Sequence, residues 1–134
     1  MGIEIRTLVF YRLQRAHESL EEAVILLKQG YTNTFVNRLY YACFYVVSAL
    51  LLTKGLSAAK HSGVRALFHQ DFVKPGTVDM ELGRFYDKVF DNRQKGDYAD
   101  LVRFDQSEVS PWFEEAARFV DSVEKLVRKE LSEE

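Results

Sequence analysis

The feature that most constrains the fold is an apolar segment that runs from about Thr34 to about Lys54. Within it, residues 39–52 are apolar except for Ser48. A helix that is apolar nearly all round has to be covered by neighbours on several sides. The run is also shorter than the ~20 apolar residues that a membrane-spanning helix needs. We therefore predict a buried central helix in a soluble protein and no membrane contact.

Four further helices are predicted around the central one from apolar periodicity and stop signals. We expect them at about residues 4–29, 61–72 and 79–92, and from Ser110 onward with Pro111 at the first helical position. Asn33 is expected to cap the central helix, because its side chain can accept a hydrogen bond from an unpaired backbone N–H. Strand signals are nearly absent. The prediction is an all-α fold, a single up-and-down-like bundle of about five helices, with residues 1–134 forming one domain.

Charge and cysteine content narrow the classes of function. The 18 Lys and Arg against 20 Asp and Glu give a net charge of −2, which does not suggest a nucleic-acid coat. The halves differ, with 8 basic against 4 acidic residues in 1–65 and 10 against 16 in 66–134. This asymmetry indicates either solvated helix faces or a basic half that meets a phosphate-bearing ligand or an acidic partner. The single cysteine, Cys43, is expected to be inert packing and favours a cytoplasmic location.

The sequence lacks the motifs of several common metal-binding and nucleotide-binding sites. A di-iron bundle needs a Glu-x-x-His motif on each of two helices, and this chain has none. His61 and His69 lie more than two helical turns apart, so sharing one metal ion is difficult. Neither a P-loop nor a dinucleotide-binding glycine pattern is present. We predict no metal site and no cofactor.

Polar residues at the start of the central helix need an explanation. Asn37 and Arg38 precede its most apolar part, and Tyr41 lies on the same face as Arg38. A guanidinium group inside a core is costly unless it is paired. Either Arg38 pairs with a carboxylate of a neighbouring helix, such as Asp97 or Asp91, or it lines a phosphate-binding groove.

A second polar cluster follows the fourth predicted helix. We expect that helix to end before Arg93, where the helix dipole favours a cation whose side chain is free to reach outward. Gly96 would permit a turn, and Asp97 can hydrogen-bond the local backbone. A turn closed by a salt bridge and a functional site are both consistent with this pattern.

Taken together, these segments resemble the small prokaryotic HEPN domains, named for higher eukaryotes and prokaryotes nucleotide-binding. The resemblance covers nearly the whole chain and is carried by the following segments: Asn37-Arg38-x-Tyr-Tyr-Ala-x-Phe-Tyr45, Arg12-Leu13-x-x-Ala16, Lys60-His61-Ser62-Gly63, Phe72-Val73-Lys74, Arg93 with Asp97-Tyr98, and Ala116-x-x-Phe119-Val120. It implies a bundle of about five helices that forms a homodimer or a higher homo-oligomer. Family members are often encoded beside a minimal nucleotidyltransferase as a toxin–antitoxin pair, which implies such a partner here.

The resemblance also implies a chemistry. Active HEPN proteins are metal-independent endoribonucleases whose motif is Arg, four to six residues, then His. Here Arg93 has no such histidine after it, and Tyr98 stands after four intervening residues. A tyrosine with a pKa near ~10 is a poor base at neutral pH. A ribonuclease reading would therefore use Arg93 with Asp97, Tyr98 or His61 assisting, His61 being the best substitute for the missing histidine.

A binding role follows from the resemblance without that histidine. It implies that Asn37, Arg38, Tyr41 and His61 contact a nucleotide or RNA, or that the same surface binds the partner enzyme. Tyr98 is also the candidate acceptor of an AMP group from a nucleotidyltransferase. Binding is the leading hypothesis, the endoribonuclease toxin is the runner-up, and a non-catalytic helical oligomerisation module is the third.

Overall fold

Helices make up the regular structure of residues 1–133, the part of the chain that a computed structural model describes, and no strand occurs in that part. Their bounds are α1 Ile3–Lys28, α2 Thr32–Thr53, α3 His61–Phe68 with a π-helical continuation at His69–Val73, α4 Met80–Tyr98, α5 Gln106–Val109 and α6 Trp112–Ser132. The one-turn α5 apart, five helices build the bundle. The predicted all-α class with about five helices is confirmed.

Helix α2 is the centre of the bundle, because α1, α3, α4 and α6 all pack against it. Residues from Leu39 to Val47 include six that are completely buried: Leu39, Tyr40, Ala42, Cys43, Val46 and Val47. Within residues 1–133, Thr32–Thr53 is the one helix long and apolar enough to cross a membrane. However, 67% of the apolar 18-residue window within this helix is buried inside the bundle. Such burial is typical of the core helix of a soluble protein, as predicted.

The start of α2 differs from the prediction. The helix begins at Thr32, and Asn33 lies in its first turn instead of capping it. The Asn33 amide nitrogen donates to the carbonyl oxygens of Val102 at 2.8 Å and Gly96 at 3.3 Å. Its amide oxygen accepts a hydrogen bond from the backbone N–H of Phe104 at 3.0 Å. The predicted cap is wrong because partners from a distant segment compete successfully for this side chain.

Helix α4 is longer than predicted and passes through the second polar cluster. It continues to Tyr98, so Arg93 and Asp97 lie one turn apart on the same face. Gly96 is inside the helix, where the ring of Phe104 packs against it. A Cβ atom at Gly96 would come within 2.9 Å of that ring. The predicted turn at Gly96 is therefore wrong, and the glycine permits a close approach of two segments instead.

The segment before the last helix contains an element that the sequence analysis did not predict. The short α5 buries Val109. Helix α6 then begins at Trp112, directly after Pro111, whose φ of −63° and ψ of −19° are already helical. The predicted start at Ser110 is right to within the usual uncertainty of helix ends.

Candidate functional site

The predicted site residues come together where the first half of α2 and the start of α3 meet the end of α4. We call this group the Arg93 cluster and define it by Asn37, Arg38, Tyr40, Tyr41, Phe44, His61, Arg93, Asp97 and Tyr98. The sequence analysis selected all of these as site residues except Tyr40 and Phe44. Both lie on the apolar helix, where sequence alone gives no reason to separate them from the rest of the core.

Arg93 is the centre of the cluster and is 8% exposed. Its Nη2 donates to the Tyr41 hydroxyl oxygen at 3.0 Å, and its Nε lies 3.2 Å from Oδ2 of Asp97 in an ion pair without hydrogen-bond alignment. The guanidinium carbon is 5.0 Å from the ring centre of Tyr40, 5.4 Å from Tyr41 and 5.6 Å from Tyr98. The expectation that Arg93 reaches outward is wrong, because α4 continues and turns this side chain towards α2.

Arg38 has a different partner from those predicted. Its Nη1 lies 3.3 Å from Oε1 of Glu22 on α1, so the predicted pair with a carboxylate of a neighbouring helix is present, although the partner is Glu22 and not Asp97 or Asp91. The guanidinium carbon also lies 4.9 Å from the ring centre of Tyr41. Arg38 is a half-buried side chain at the surface, and its ion pair with Glu22 faces solvent.

Asn37 connects the two guanidinium groups. Its amide oxygen accepts hydrogen bonds from Nε and Nη2 of Arg38, at 3.0 and 2.7 Å. Its amide nitrogen donates to Oδ2 of Asp97 at 2.9 Å, the same oxygen that lies beside Arg93. This chain of contacts fixes Arg38 and Arg93 relative to one another.

His61 lies at the start of α3 and joins the cluster through aromatic contacts. Its ring stacks on Phe44 with centroids 4.5 Å apart and an angle of 11°, and it meets Tyr41 edge-on at 5.8 Å. Its Nδ1 is 2.6 Å from the hydroxyl oxygen of Tyr40. Burial, and then the charge of Arg93, lowers the pKa of His61, so the imidazole is neutral at neutral pH.

Tyr40 controls what the free nitrogen of His61 can do. Burial raises the pKa of Tyr40 well above its ordinary value, so its hydroxyl group stays protonated. If the Tyr40 O–H donates to Nδ1, then Nε2 of His61 carries the ring proton and is a hydrogen-bond donor. If Nδ1–H donates to Tyr40, then Nε2 carries the lone pair and is a base. No hydrogen bond within residues 1–133 uses Nε2, so it is available in either state.

Tyr98 ends α4 and is 73% exposed. One face of its ring lies against the Arg93 guanidinium, and the remainder is open to solvent. A phenol in this position can be reached by a large reagent or can stack on a planar ligand.

The other cysteine and histidine side chains of residues 1–133 considered in the sequence analysis lie outside this cluster. Cys43 is buried, and burial raises the pKa of its thiol, which fits the predicted packing role. His69 pairs with Asp87 at 2.9 Å, far along α3 from His61. Among the described residues, no group of three or more His, Cys, Asp or Glu side chains is close enough to hold a metal ion.

Comparisons with known proteins identify relatives along almost the whole chain. The sequence profile of the HEPN domain matches residues 9–126, a range that contains the entire Arg93 cluster. A UPF0332 protein of Thermotoga maritima is 49% identical over 124 residues, which are 92% of this chain and 94% of the relative. Two toxin candidates of Methanocaldococcus jannaschii are 32% and 34% identical over 120 and 128 residues. These alignments cover 89% and 96% of this chain, and 82% and 95% of the two relatives.

Proposed function

Because this chain belongs to the HEPN domain family, we propose that it is a toxin-like protein that binds a phosphate-bearing ligand, RNA or a nucleotide, on the Arg93 cluster. The two relatives that are named as toxin candidates support the toxin-like role. The ligand class is argued from the chemistry of the cluster itself.

The observation that carries the proposal is the alternation of guanidinium groups and aromatic rings. Arg38 lies over Tyr41, and Arg93 lies among Tyr40, Tyr41 and Tyr98. Arginine presents a planar fork of donors that suits phosphate oxygens, and aromatic rings stack on nucleobases. Both features are needed to hold a nucleotide by its two ends.

Arg38 is the better phosphate ligand of the two arginines. Its partner Glu22 has a side chain that is 44% exposed, and the ion pair is 3.3 Å long. Ion pairs of this exposed kind contribute only about 0–1 kcal/mol, so a phosphate group can replace Glu22 at little cost. Arg93 is more deeply buried and keeps its contacts with Asp97 and Tyr41. We place the phosphate at Arg38 and the base on the open face of Tyr98.

Binding can be tested with fluorescently labelled single-stranded RNA and with AMP, using polarisation and thermal shift. Arg38→Gln should weaken RNA binding about fivefold to tenfold and reduce the magnitude of the log–log salt slope by about 0.7. Lys125→Gln is the control, since Lys125 lies on α6 with a 77% exposed side chain. If neither ligand binds, or if both variants bind like the parent protein, the proposal fails and the oligomerisation module is favoured.

We further propose that the chain works with a minimal nucleotidyltransferase that modifies Tyr98. In this step the Tyr98 phenol oxygen attacks the α-phosphorus of ATP, the bond to pyrophosphate breaks, and the phenol proton passes to solvent. Support comes from the 73% exposure of Tyr98 and its position at the edge of the cluster. Intact-mass analysis after incubation with the enzyme and ATP should show one AMP adduct, which Tyr98→Phe abolishes. Tyr31 is 62% exposed, so Tyr31→Phe is a matched control that should keep the adduct.

Homodimer or higher assembly and a cytoplasmic location also belong to this proposal. Light scattering coupled to size exclusion would give a mass of at least twice the 15.6 kDa of the chain. A monomer at micromolar concentration would contradict the proposed assembly. A tagged protein that fractionates with the cytoplasm supports the location, and a membrane-bound one contradicts it.

A second candidate function is a metal-independent endoribonuclease, and the position of His61 favours it. His61 is neutral and has a free Nε2, and the charge of Arg93 contributes to its lowered pKa. Its Nε2 would remove the proton from a ribose 2′-OH, whose oxygen attacks the adjacent phosphorus. The bond to the 5′-oxygen then breaks, that oxygen takes up a proton, and Arg93 stabilises the charge on the phosphoryl oxygens.

The two functions differ in what they require of His61. Cleavage needs Nε2 as a base, so His61→Gln should abolish cleavage while leaving RNA affinity nearly unchanged. Growth arrest on expression that is lost in His61→Gln and Arg93→Lys, but kept in Lys125→Gln, would support the ribonuclease. If the folded parent protein binds RNA without cleaving it, the ribonuclease function is contradicted and only the binding function remains.

A further inference from the structure

A cleft lies beside the Arg93 cluster, between α1, α2 and the start of α3. We call it the Arg12 cleft. It measures about 240 Å³, and its walls are mainly apolar. Its principal lining residues are Leu8, Arg12, Phe44, Ser48, Leu56 and Val64.

The Arg12 cleft contains a buried polar group without a partner. Ser48 lies in the middle of α2 and is 3% exposed, and its Oγ has no hydrogen-bond partner in the structure. Buried polar side-chain atoms in folded proteins are nearly always hydrogen bonded. A ligand with a polar atom in the cleft would provide the missing partner of Ser48.

Arg12 supplies the charge that selects the ligand. It lies half-buried on α1 and makes no ion pair or hydrogen bond with any residue of 1–133. Its neighbour on the same helix, Arg15, is paired with Glu18 at 2.8 Å, so the two arginines differ in availability. An unpaired guanidinium beside an apolar cleft favours a carboxylate, which it can hold with two parallel hydrogen bonds.

We propose that the Arg12 cleft binds a small carboxylic acid with an apolar body. The carboxylate pairs with Arg12, and the body packs against Leu8, Leu56 and Val64. The cleft is smaller than the ~300–1,000 Å³ of sites for drug-sized molecules, which restricts the ligand to a short aliphatic or a single-ring acid. A phosphate monoester would offer more oxygens than Arg12 and Ser48 can satisfy.

Through Phe44, the Arg12 cleft would act as a regulatory site for the Arg93 cluster. Its ring lines the Arg12 cleft and also stacks on His61 at 4.5 Å. A ligand that packs against Phe44 therefore changes the position or mobility of the His61 ring. This regulatory part rests on the proposed function of the Arg93 cluster, whereas binding of the acid does not.

The test uses benzoate and hexanoate as probes, titrated into the full chain and followed by NMR. Signals of Phe44, Ser48 and Val64 should shift, followed by those of His61. Benzyl alcohol and hexanol, which lack the charge, should bind about tenfold more weakly, the size of one charge-assisted contact. Arg12→Gln should lower the affinity for both acids by a similar factor.

Two variants separate the cleft from general effects. Arg103→Gln removes an exposed arginine elsewhere on the surface and should leave acid binding unchanged. Ser48→Ala removes a hydroxyl group that has no partner, so the fold should persist while the affinity falls. If Arg12→Gln and Arg103→Gln bind the acids equally, or if the shifts lie outside the cleft, the proposal is overturned.

Failure here is distinguishable from failure of the proposed function. RNA and AMP binding is measured with Arg38→Gln, and acid binding with Arg12→Gln, so each proposal has its own ligand and its own variant. Acid binding without any shift at His61 would overturn the regulatory part and leave the cleft site standing.

Discussion

The imidazole Nδ1 of His61 lies 2.6 Å from the hydroxyl oxygen of Tyr40, although the two residues belong to different helices. This contact joins the half-buried residue His61 to a tyrosine that is 0% exposed. It therefore links the chemistry of the Arg93 cluster to the interior of the bundle. The proton in this hydrogen bond determines whether His61 presents a donor or a base to a ligand.

Tyr40→Phe should change the tautomer of His61. The variant keeps the aromatic ring in the core but removes the hydroxyl group, so we expect a loss of about 0.5–1.5 kcal/mol of unfolding free energy. The ¹⁵N chemical shifts of the His61 ring should show one dominant tautomer in the parent protein and a mixture in Tyr40→Phe. Identical tautomer populations in the two proteins would mean that Tyr40 does not position His61.

The stability of the protein should fall as the pH decreases below the ordinary histidine pKa of 6.5, in part because of His61. Its pKa is lowered in the folded state, so the unfolded chain takes up the proton first and unfolding is favoured as pH falls. The contribution is complete above pH 6.5 and is lost between that value and the lower folded pKa. Chemical denaturation across this range measures it.

His61→Asn provides the reference for that measurement. His17 and His69 lie beside the carboxylates of Glu124 and Asp87, and both pairs remain in the variant. The difference between the two proteins therefore isolates His61. Parallel stability curves at all pH values would contradict the lowered pKa.

Arg93 and Arg38 should differ in their importance for folding. Arg93→Gln removes a buried charge, the ion-pair partner of Asp97 and the donor to the Tyr41 hydroxyl oxygen, so we expect a loss of about 1–3 kcal/mol. Arg38→Gln removes a solvent-facing ion pair and two hydrogen bonds to the Asn37 side chain, and should cost less, about 0–1 kcal/mol. Urea denaturation of both variants would show the contrast. Equal losses would contradict the difference in burial, and loss of activity in Arg93 variants has to be separated from unfolding.

Gly96→Ala should destabilise the protein, although alanine usually stabilises a helix interior by about 1 kcal/mol relative to glycine. The new Cβ atom would lie 2.9 Å from the ring of Phe104, and overpacking of this kind costs about 1–3 kcal/mol. In the Phe104→Leu background, Gly96→Ala should cost less than it does in the parent protein, because the ring that the new Cβ atom meets has been removed. Additive effects of the two changes would mean that the ring does not cause the loss.

Asn33→Asp distinguishes the observed role of Asn33 from that of a helix cap. An aspartate is as good a cap as asparagine, so a cap would tolerate the change. Here the amide nitrogen donates to the carbonyl oxygens of Val102 and Gly96, and a carboxylate would face them without a proton. We expect a loss of about 1–3 kcal/mol in thermal or chemical denaturation. An unchanged stability would contradict the observed role of Asn33 and favour a helix-capping role.

The sequence was a good guide to the elements and a poor guide to their contacts. The apolar run of α2 required a buried helix, and its predicted bounds, Thr34 and Lys54, lie within two residues of the observed ones. The polar stretch after Phe90 misled the prediction of α4, because Gly96 is a helix breaker in isolation. Packing of Phe104 against that glycine stabilises the helix there, and no local pattern encodes it.

The sequence by itself determined an all-helical bundle, a buried α2 and the residue types of the site. Only the tertiary structure decided that His61 joins the Arg93 cluster, that Arg38 pairs with Glu22 and that Asn33 holds the chain near Phe104. The physical reason is the distance along the sequence over which each kind of interaction acts. Apolar periodicity and caps act within one or two helical turns and can be read locally. The partner of a side chain across a helix interface depends on the crossing geometry of whole helices, which is fixed only when the core packs.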